Sequence, residues 1–99
     1  DPDMFKTLLS YSPVHNVKAG TAYPATFLLS GKSDIRCQPW NGRKMAALLQ
    51  RATSSDAPVL LKVVPGGHGP GLSLDDEVER RVDILSFIMK NLGMEVPKL

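Results

Sequence analysis

Two short apolar runs constrain this chain more than anything else in it: Ala25-Thr26-Phe27-Leu28-Leu29-Ser30 and Val59-Leu60-Leu61-Lys62-Val63-Val64. A strand with one wet face alternates apolar and polar side chains, and neither run does. Uniformly apolar, β-branched segments of this length belong to parallel strands covered on both faces by helices. Between the two runs, from Pro39 or Trp40 to about Ala52, the residues Met45, Leu48, Leu49 and Ala52 fall on one helical stripe. Strand, helix and strand in that order read as a βαβ unit, whose crossover is expected to be right-handed.

The flanking segments are helical. Asp3 to Leu9 has helical spacing in Met4 with Leu8 and Phe5 with Leu9, and Ser12-Pro13 ends it. Val14 to Gly20 reads as a loop carrying His15, Gly31 to Asp34 as a turn, and Thr53 to Pro58 as a polar connection. A last helix is expected from Leu74 to Leu92. Ser73 with Asp76 makes a start like a capping box, Gly93 is placed to cap the end, and Val78, Val82, Leu85, Met89 and Leu92 form the expected buried stripe. The fold class is therefore α/β, in the order helix, strand, helix, strand, helix. Two parallel strands make a poor stand-alone sheet, so neighbours are expected that these elements do not supply.

At 99 residues the chain holds one domain at most. A net charge of +2, spread along the chain, points to neither nucleic acid nor a membrane surface as partner. No apolar run is long enough to span a bilayer, and the opening residues show no signal-peptide pattern. The single cysteine, Cys37, excludes an internal disulfide and leaves the compartment open; a cytoplasmic location is the expectation, with a periplasmic one as the alternative. The chain opens Asp1-Pro2-Asp3, as a segment of something longer would.

The chemistry gathers at the carboxyl ends of the two strands, where open α/β sheets build their sites. Asp34 follows the first strand. The second is stopped by Pro65 and followed by Gly66-Gly67-His68-Gly69-Pro70-Gly71, which holds one imidazole among four glycines. If the strands are adjacent and parallel, the two loops lie side by side. A carboxylate bonded to one imidazole nitrogen fixes the tautomer and leaves the other nitrogen as a general base. An acid followed by a histidine is the chain order of α/β-hydrolases after their nucleophile. The nucleophile elbow Gly-x-Ser-x-Gly is absent here; the nearest stretch, Gly31-Lys32-Ser33-Asp34-Ile35, lacks the second glycine.

Tyr11-Ser12-Pro13-Val14-His15-Asn16-Val17, Tyr23-Pro24, Asp34-Ile35-Arg36 and Gly67-His68-Gly69, taken together and in order, resemble the C-terminal end of the catalytic domain of prolyl oligopeptidase family serine peptidases. The resemblance covers nearly the whole chain. It implies the C-terminal portion of an α/β-hydrolase fold over residues 1–99, incomplete without upstream sequence. It also implies that Asp34 and His68 are the acid and base of a Ser-His-Asp triad whose serine lies upstream, and that Arg36 binds a substrate backbone carbonyl. The partners it implies are a peptide substrate and the missing part of the domain; no cofactor is implied. The chain departs from the family pattern at Ile35 and Cys37, where Asp and Val are common, and at Trp40-Asn41-Gly42, so proline specificity does not follow.

Each residue has a plainer reading beside the functional one. Asp34 would otherwise stabilise its turn, His68 would be an ordinary exposed loop residue, and Arg36 a solvated arginine at a helix entrance. His15 reads as structural and Cys37 as a buried or inert thiol. Two histidines and one cysteine show no metal-ligand spacing. Asp75-Asp76-Glu77 match the dipole of the helix they open. Two other function classes stand against the peptidase: a non-catalytic homologue serving as scaffold, and an anion-binding module. The latter has the right strand, glycine loop and helix, but no phosphate-loop motif, and three carboxylates in the helix's first turn would repel an anion. The outer edge of the first strand has no charge or proline between Ala25 and Ser30, so self-association through strand edges is expected.

Overall fold

The computed structural model of the chain describes residues 1–69 and 71–95; of the glycine loop, Pro70 lies outside them. Five principal elements appear in the expected order. They are α1 (Pro2–Ser10), β1 (Thr26–Gly31), α2 (Trp40–Ala52), β2 (Val59–Val64) and α3 (Leu74–Asn91). A 3₁₀ turn, Pro13–Asn16, occupies part of the expected loop before β1. There Ser12 Oγ lies 2.8 Å from Nδ1 of His15, a local structural contact. Asn16 Nδ2 donates toward the carbonyls of Leu9, Ser10 and Ser12, tying this turn to the end of α1.

β1 and β2 pair in parallel, with Thr26 opposite Val59 and Gly31 opposite Val64. Because side chains alternate along a strand, this register puts Thr26, Leu28, Ser30, Val59, Leu61 and Val63 on one face. α2 covers that face. Its Gly42 lies so close that a Cβ there would be 3.3 Å from Ser30 Cβ, and Ala46, Leu49, Ala52 and Val59 are the buried apolar residues of the described chain. Gly20 N–H donates to Ala52 O, and Ser54 N–H donates to Thr21 O, tying the segment before β1 to the end of α2.

α3 lies on the opposite face. The Phe87 ring sits 5.3 Å from that of Phe27, and Lys62 Nζ bonds Glu79 Oε1 at 2.6 Å and also Asp83 Oδ2. At its start Ser73 Oγ accepts the N–H of Asp76. At its end Gly93, at φ +66°, closes a Schellman motif: Met94 N–H reaches Met89 O and Gly93 N–H reaches Lys90 O.

Two expectations need correction. The stripe Val78, Val82, Leu85, Leu92 is not buried: these residues are 52–71% exposed, and Met89 alone of the five is half-buried. The salt bridges to Lys62 and the Phe27–Phe87 contact turn a different face of α3 to the sheet, the one carrying Arg80, Asp83, Ile84 and Phe87. Nor is the sheet fully covered on both sides. Each face has its helix, but on the α3 face Leu29 is 39% and Leu60 46% exposed. The Cα radius of gyration, 16.3 Å, exceeds the ~13 Å of a compact chain of this length. Among the described residues, no helix is long and apolar enough to cross a membrane.

Candidate active site

The loops after β1 and β2 are stitched together by their backbones. Lys32 N–H donates to Val64 O, and Ser33 N–H to Gly66 O, each at 2.9 Å. Gly31 is where they meet: a Cβ there would stand 2.6 Å from the carbonyl oxygen of Gly67 and 3.0 Å from that of Gly66. Only glycine permits that approach without movement. On the other side Gly66, at φ +100°, turns the chain in a region other residues rarely enter.

This juncture brings Asp34 and His68 together. Asp34 follows the turn closed by its own N–H on Gly31 O, and is 7% exposed. Its Oδ1 accepts the backbone N–H groups of Arg36 and Cys37, each at 2.9 Å. Its Oδ2 lies 2.9 Å from Nδ1 of His68. The Cys37 N–H, then His68 and the Arg36 N–H, hold the Asp34 carboxyl below its ordinary range, against the opposing effect of burial. An ionised carboxylate can only accept, so the proton in the Asp34–His68 bond is assigned to Nδ1. The neutral ring then carries its lone pair on Nε2. With the His68 side chain 45% exposed and Asp34 buried behind it, a positioned base faces outward.

The other candidates are placed differently. Arg36 contributes its backbone N–H to Asp34, while its side chain is exposed and outside this hydrogen-bonded pair. Ser33 is exposed beside the acid. A cleft of about 540 Å³ is lined by Asp34, Gly67, Leu72, Glu77 and Arg80 among others, but not by His68. Of the two plainer readings of Cys37, buried or inert, the structure contradicts the first: the residue is exposed. Its Sγ, a ring nitrogen of His68 and a carboxylate oxygen of Asp34 all lie within 4.8 Å of one another. Sequence spacing could not bring this thiol to the pair, because a turn folded around Asp34 Oδ1 does so. An Asx-type turn after Asp34 is the signal that points to it.

Comparison with known proteins covers the same stretch. The chain is 40% identical over 94 residues to the prolyl endopeptidase of Elizabethkingia meningoseptica, covering 94% of this chain and 13% of that protein. It is 34% identical over 100 residues to the prolyl endopeptidase of Dictyostelium discoideum, covering 97% of this chain and again 13% of the relative. A chain from a structural study of two prolyl endopeptidases superposes with a TM-score of 0.88 at 33% identity, over 96% of this chain and 14% of that one. The chain thus spans about an eighth of the length of the relatives it matches. The model of the prolyl oligopeptidase family matches residues 1–95, and the chain belongs to that family.

Proposed function

We propose that this chain supplies the acid and the base of a Ser-His-Asp serine peptidase that cleaves peptide bonds by acyl transfer. The observation carrying this reading is the buried, ionised Asp34 bonded to Nδ1 of a half-exposed His68, at the carboxyl ends of two adjacent parallel strands. The nucleophilic serine comes from sequence preceding Asp1. His68 Nε2 takes the serine proton as the oxygen attacks the substrate carbonyl, then gives it to the leaving amine; water repeats the cycle on the acyl-enzyme. Asp34 holds the ring in the tautomer this needs and stabilises the imidazolium. Arg36 binds a backbone carbonyl of the peptide, its solvent-directed side chain leaving it free to do so.

A chimera tests this with a serine in place: residues 1–95 replace the matching segment of the Elizabethkingia meningoseptica enzyme. Peptide hydrolysis and labelling by a fluorophosphonate are expected in the chimera. Asp34→Asn should lower kcat by roughly 10⁴-fold, the cost of a wrong tautomer in such a triad, with the fold intact. Full turnover in that variant would make Asp34 a turn residue only. An unreactive but folded chimera would favour the scaffold reading.

A further inference from the structure

Cys37 is not needed by the chemistry above. Only its backbone N–H is used, as one of the donors to Asp34 Oδ1, and that bond is indifferent to what the side chain carries. Yet the same bond fixes where the thiol stands. It places an exposed sulfur, an imidazole nitrogen and a carboxylate oxygen within 4.8 Å of one another.

One sulfur, one nitrogen and one oxygen donor match the preference of a borderline-soft cation, and differ from the all-oxygen sets of Ca²⁺ and Mg²⁺. Bonds of about 2.3 Å to sulfur and 2.0–2.2 Å to nitrogen and oxygen put tetrahedral ligands roughly 3.3–3.8 Å apart. The present separations exceed these by at most about 1.5 Å, and Asp34 Oδ2 to His68 Nδ1, at 2.9 Å, is already closer. Cys37 is exposed and the His68 side chain half-exposed, so both can close that gap by small rotations, while buried Asp34 stays fixed by its two backbone donors.

We propose that Cys37, His68 and Asp34 form a site for a thiophilic divalent cation such as Zn²⁺, and that its occupation takes His68 out of use as a base. Binding exchanges the thiol proton of Cys37 for the metal, so that a thiolate, a neutral imidazole and a carboxylate hold the ion, one proton is released, and a fourth position stays open to water. The consequence for the base holds whichever ring nitrogen is taken. Metal on Nε2 uses the lone pair directly; metal on Nδ1 leaves the ring proton on Nε2. This second half of the proposal rests on the function assigned above, and the binding half does not.

Cadmium is the probe, because its thiolate complexes absorb in the ultraviolet. Titrating the 99-residue chain with Cd²⁺ should give one charge-transfer band saturating at one ion per chain, reversed by competing Zn²⁺. Cys37→Ser should abolish the band. His68→Ala should keep a weakened band, with Kd raised at least tenfold, since changes merely outside the ligand shell already cost roughly 10–100-fold. In case that variant loses its loop structure, ¹⁵N shifts of the wild-type imidazoles give an independent reading: the His68 ring must respond to Cd²⁺ and the His15 ring must not. An unmoved His68 ring, undiminished affinity in His68→Ala, or one ion bridging two chains would overturn the site and leave a lone thiol. In the chimera, Zn²⁺ inhibition reversed by a chelator is expected. Binding without inhibition would overturn the blockade while leaving the site, whereas failure of the catalytic reading itself shows in the metal-free kinetics of Asp34→Asn.

Discussion

The contact at Gly31 is where the smallest change should do most. Gly31→Ala puts a methyl group 2.6 Å from Gly67 O and 3.0 Å from Gly66 O, both backbone atoms with no rotamer to change. The structure can hold the contact, at an overpacking cost of about 1–3 kcal/mol. Or it can part the loops and lose the bonds Ser33 N–H to Gly66 O and Lys32 N–H to Val64 O, at about 0.5–1.5 kcal/mol each. The two routes are alternatives and lead to the same figure, about 2 kcal/mol. Relieving a 2.6 Å contact to an ordinary 3.4 Å needs a 0.8 Å shift. Passed rigidly to His68, it would stretch the 2.9 Å bond to Asp34 to about 3.7 Å, which is no longer a hydrogen bond. Urea unfolding reads the first effect and the ¹⁵N shifts of the His68 ring the second. Gly69→Ala is the control: Gly69 stands at φ +95° with nothing within 4 Å of the added carbon, so it should lose stability through backbone conformation but keep the Asp34 bond. A Gly31→Ala chain within about 0.5 kcal/mol of wild type, with the Nδ1 proton still bonded, would refute the claim that this glycine is required by the loop contact.

Glu77 is held at about 2 by Arg80 and then Arg81, so its ion pairs stabilise α3 above the ordinary value of 4.5 and are lost as pH falls from there toward 2; helicity followed by circular dichroism should show the loss, and Glu77→Gln should remove that part of the acid transition. Lys62 is raised above its ordinary 10.5 by bonds to Asp83 and Glu79, so its contribution is complete below 10.5 and disappears as pH climbs past that. Lys62→Met should accordingly speed amide exchange along α3 at neutral pH; unchanged exchange would show that the Phe27–Phe87 contact alone docks the helix. The isolated chain should self-associate through the outer edge of β1, seen as light scattering that rises with concentration and as protection of the Phe27 and Leu29 amides, which face away from β2 because Thr26 N–H already bonds Pro58 O; a monomer with those two amides exchanging fast would refute the pairing.

Much of the site was legible because two strand ends carry it. Once two predominantly apolar runs flank a helix, parallel pairing follows, and parallel pairing puts Asp34 and His68 at the same edge of the sheet. What could not be read is what depends on contacts through space. That Gly31 must be glycine follows from the carbonyls of Gly66 and Gly67, more than thirty residues away, and not from its own backbone angles. Cys37 comes to the pair because a carboxylate oxygen gathers two N–H groups, and in the sequence it is only a lone cysteine three residues past an aspartate. The strand boundary moved by one residue for a similar reason: pairing with β2 recruits Gly31, whose composition alone marks a turn.

The rotation of α3 shows a different limit, one of periodicity itself. The residues Val78, Val82, Leu85, Met89 and Leu92 do recur at helical spacing, but so do Ile84, Phe87 and Ile88 on an adjoining face. A helix apolar over more than one face belongs to an interior, and its spacing cannot say which face meets the sheet. The polar residues decide: Lys62, on the α3 face of β2, takes Glu79 and Asp83 as its partners, which brings Phe87 onto Phe27 and turns Val78, Val82 and Leu85 outward. Burying the longer stripe against this sheet would turn Glu79 and Asp83 away from Lys62 and leave its ammonium without a partner over an apolar surface, a cost that mounts with desolvation. The open stripe is thus the consequence of one lysine in an otherwise apolar strand. It leaves α3 with an apolar face turned to solvent along Val78, Val82 and Leu85.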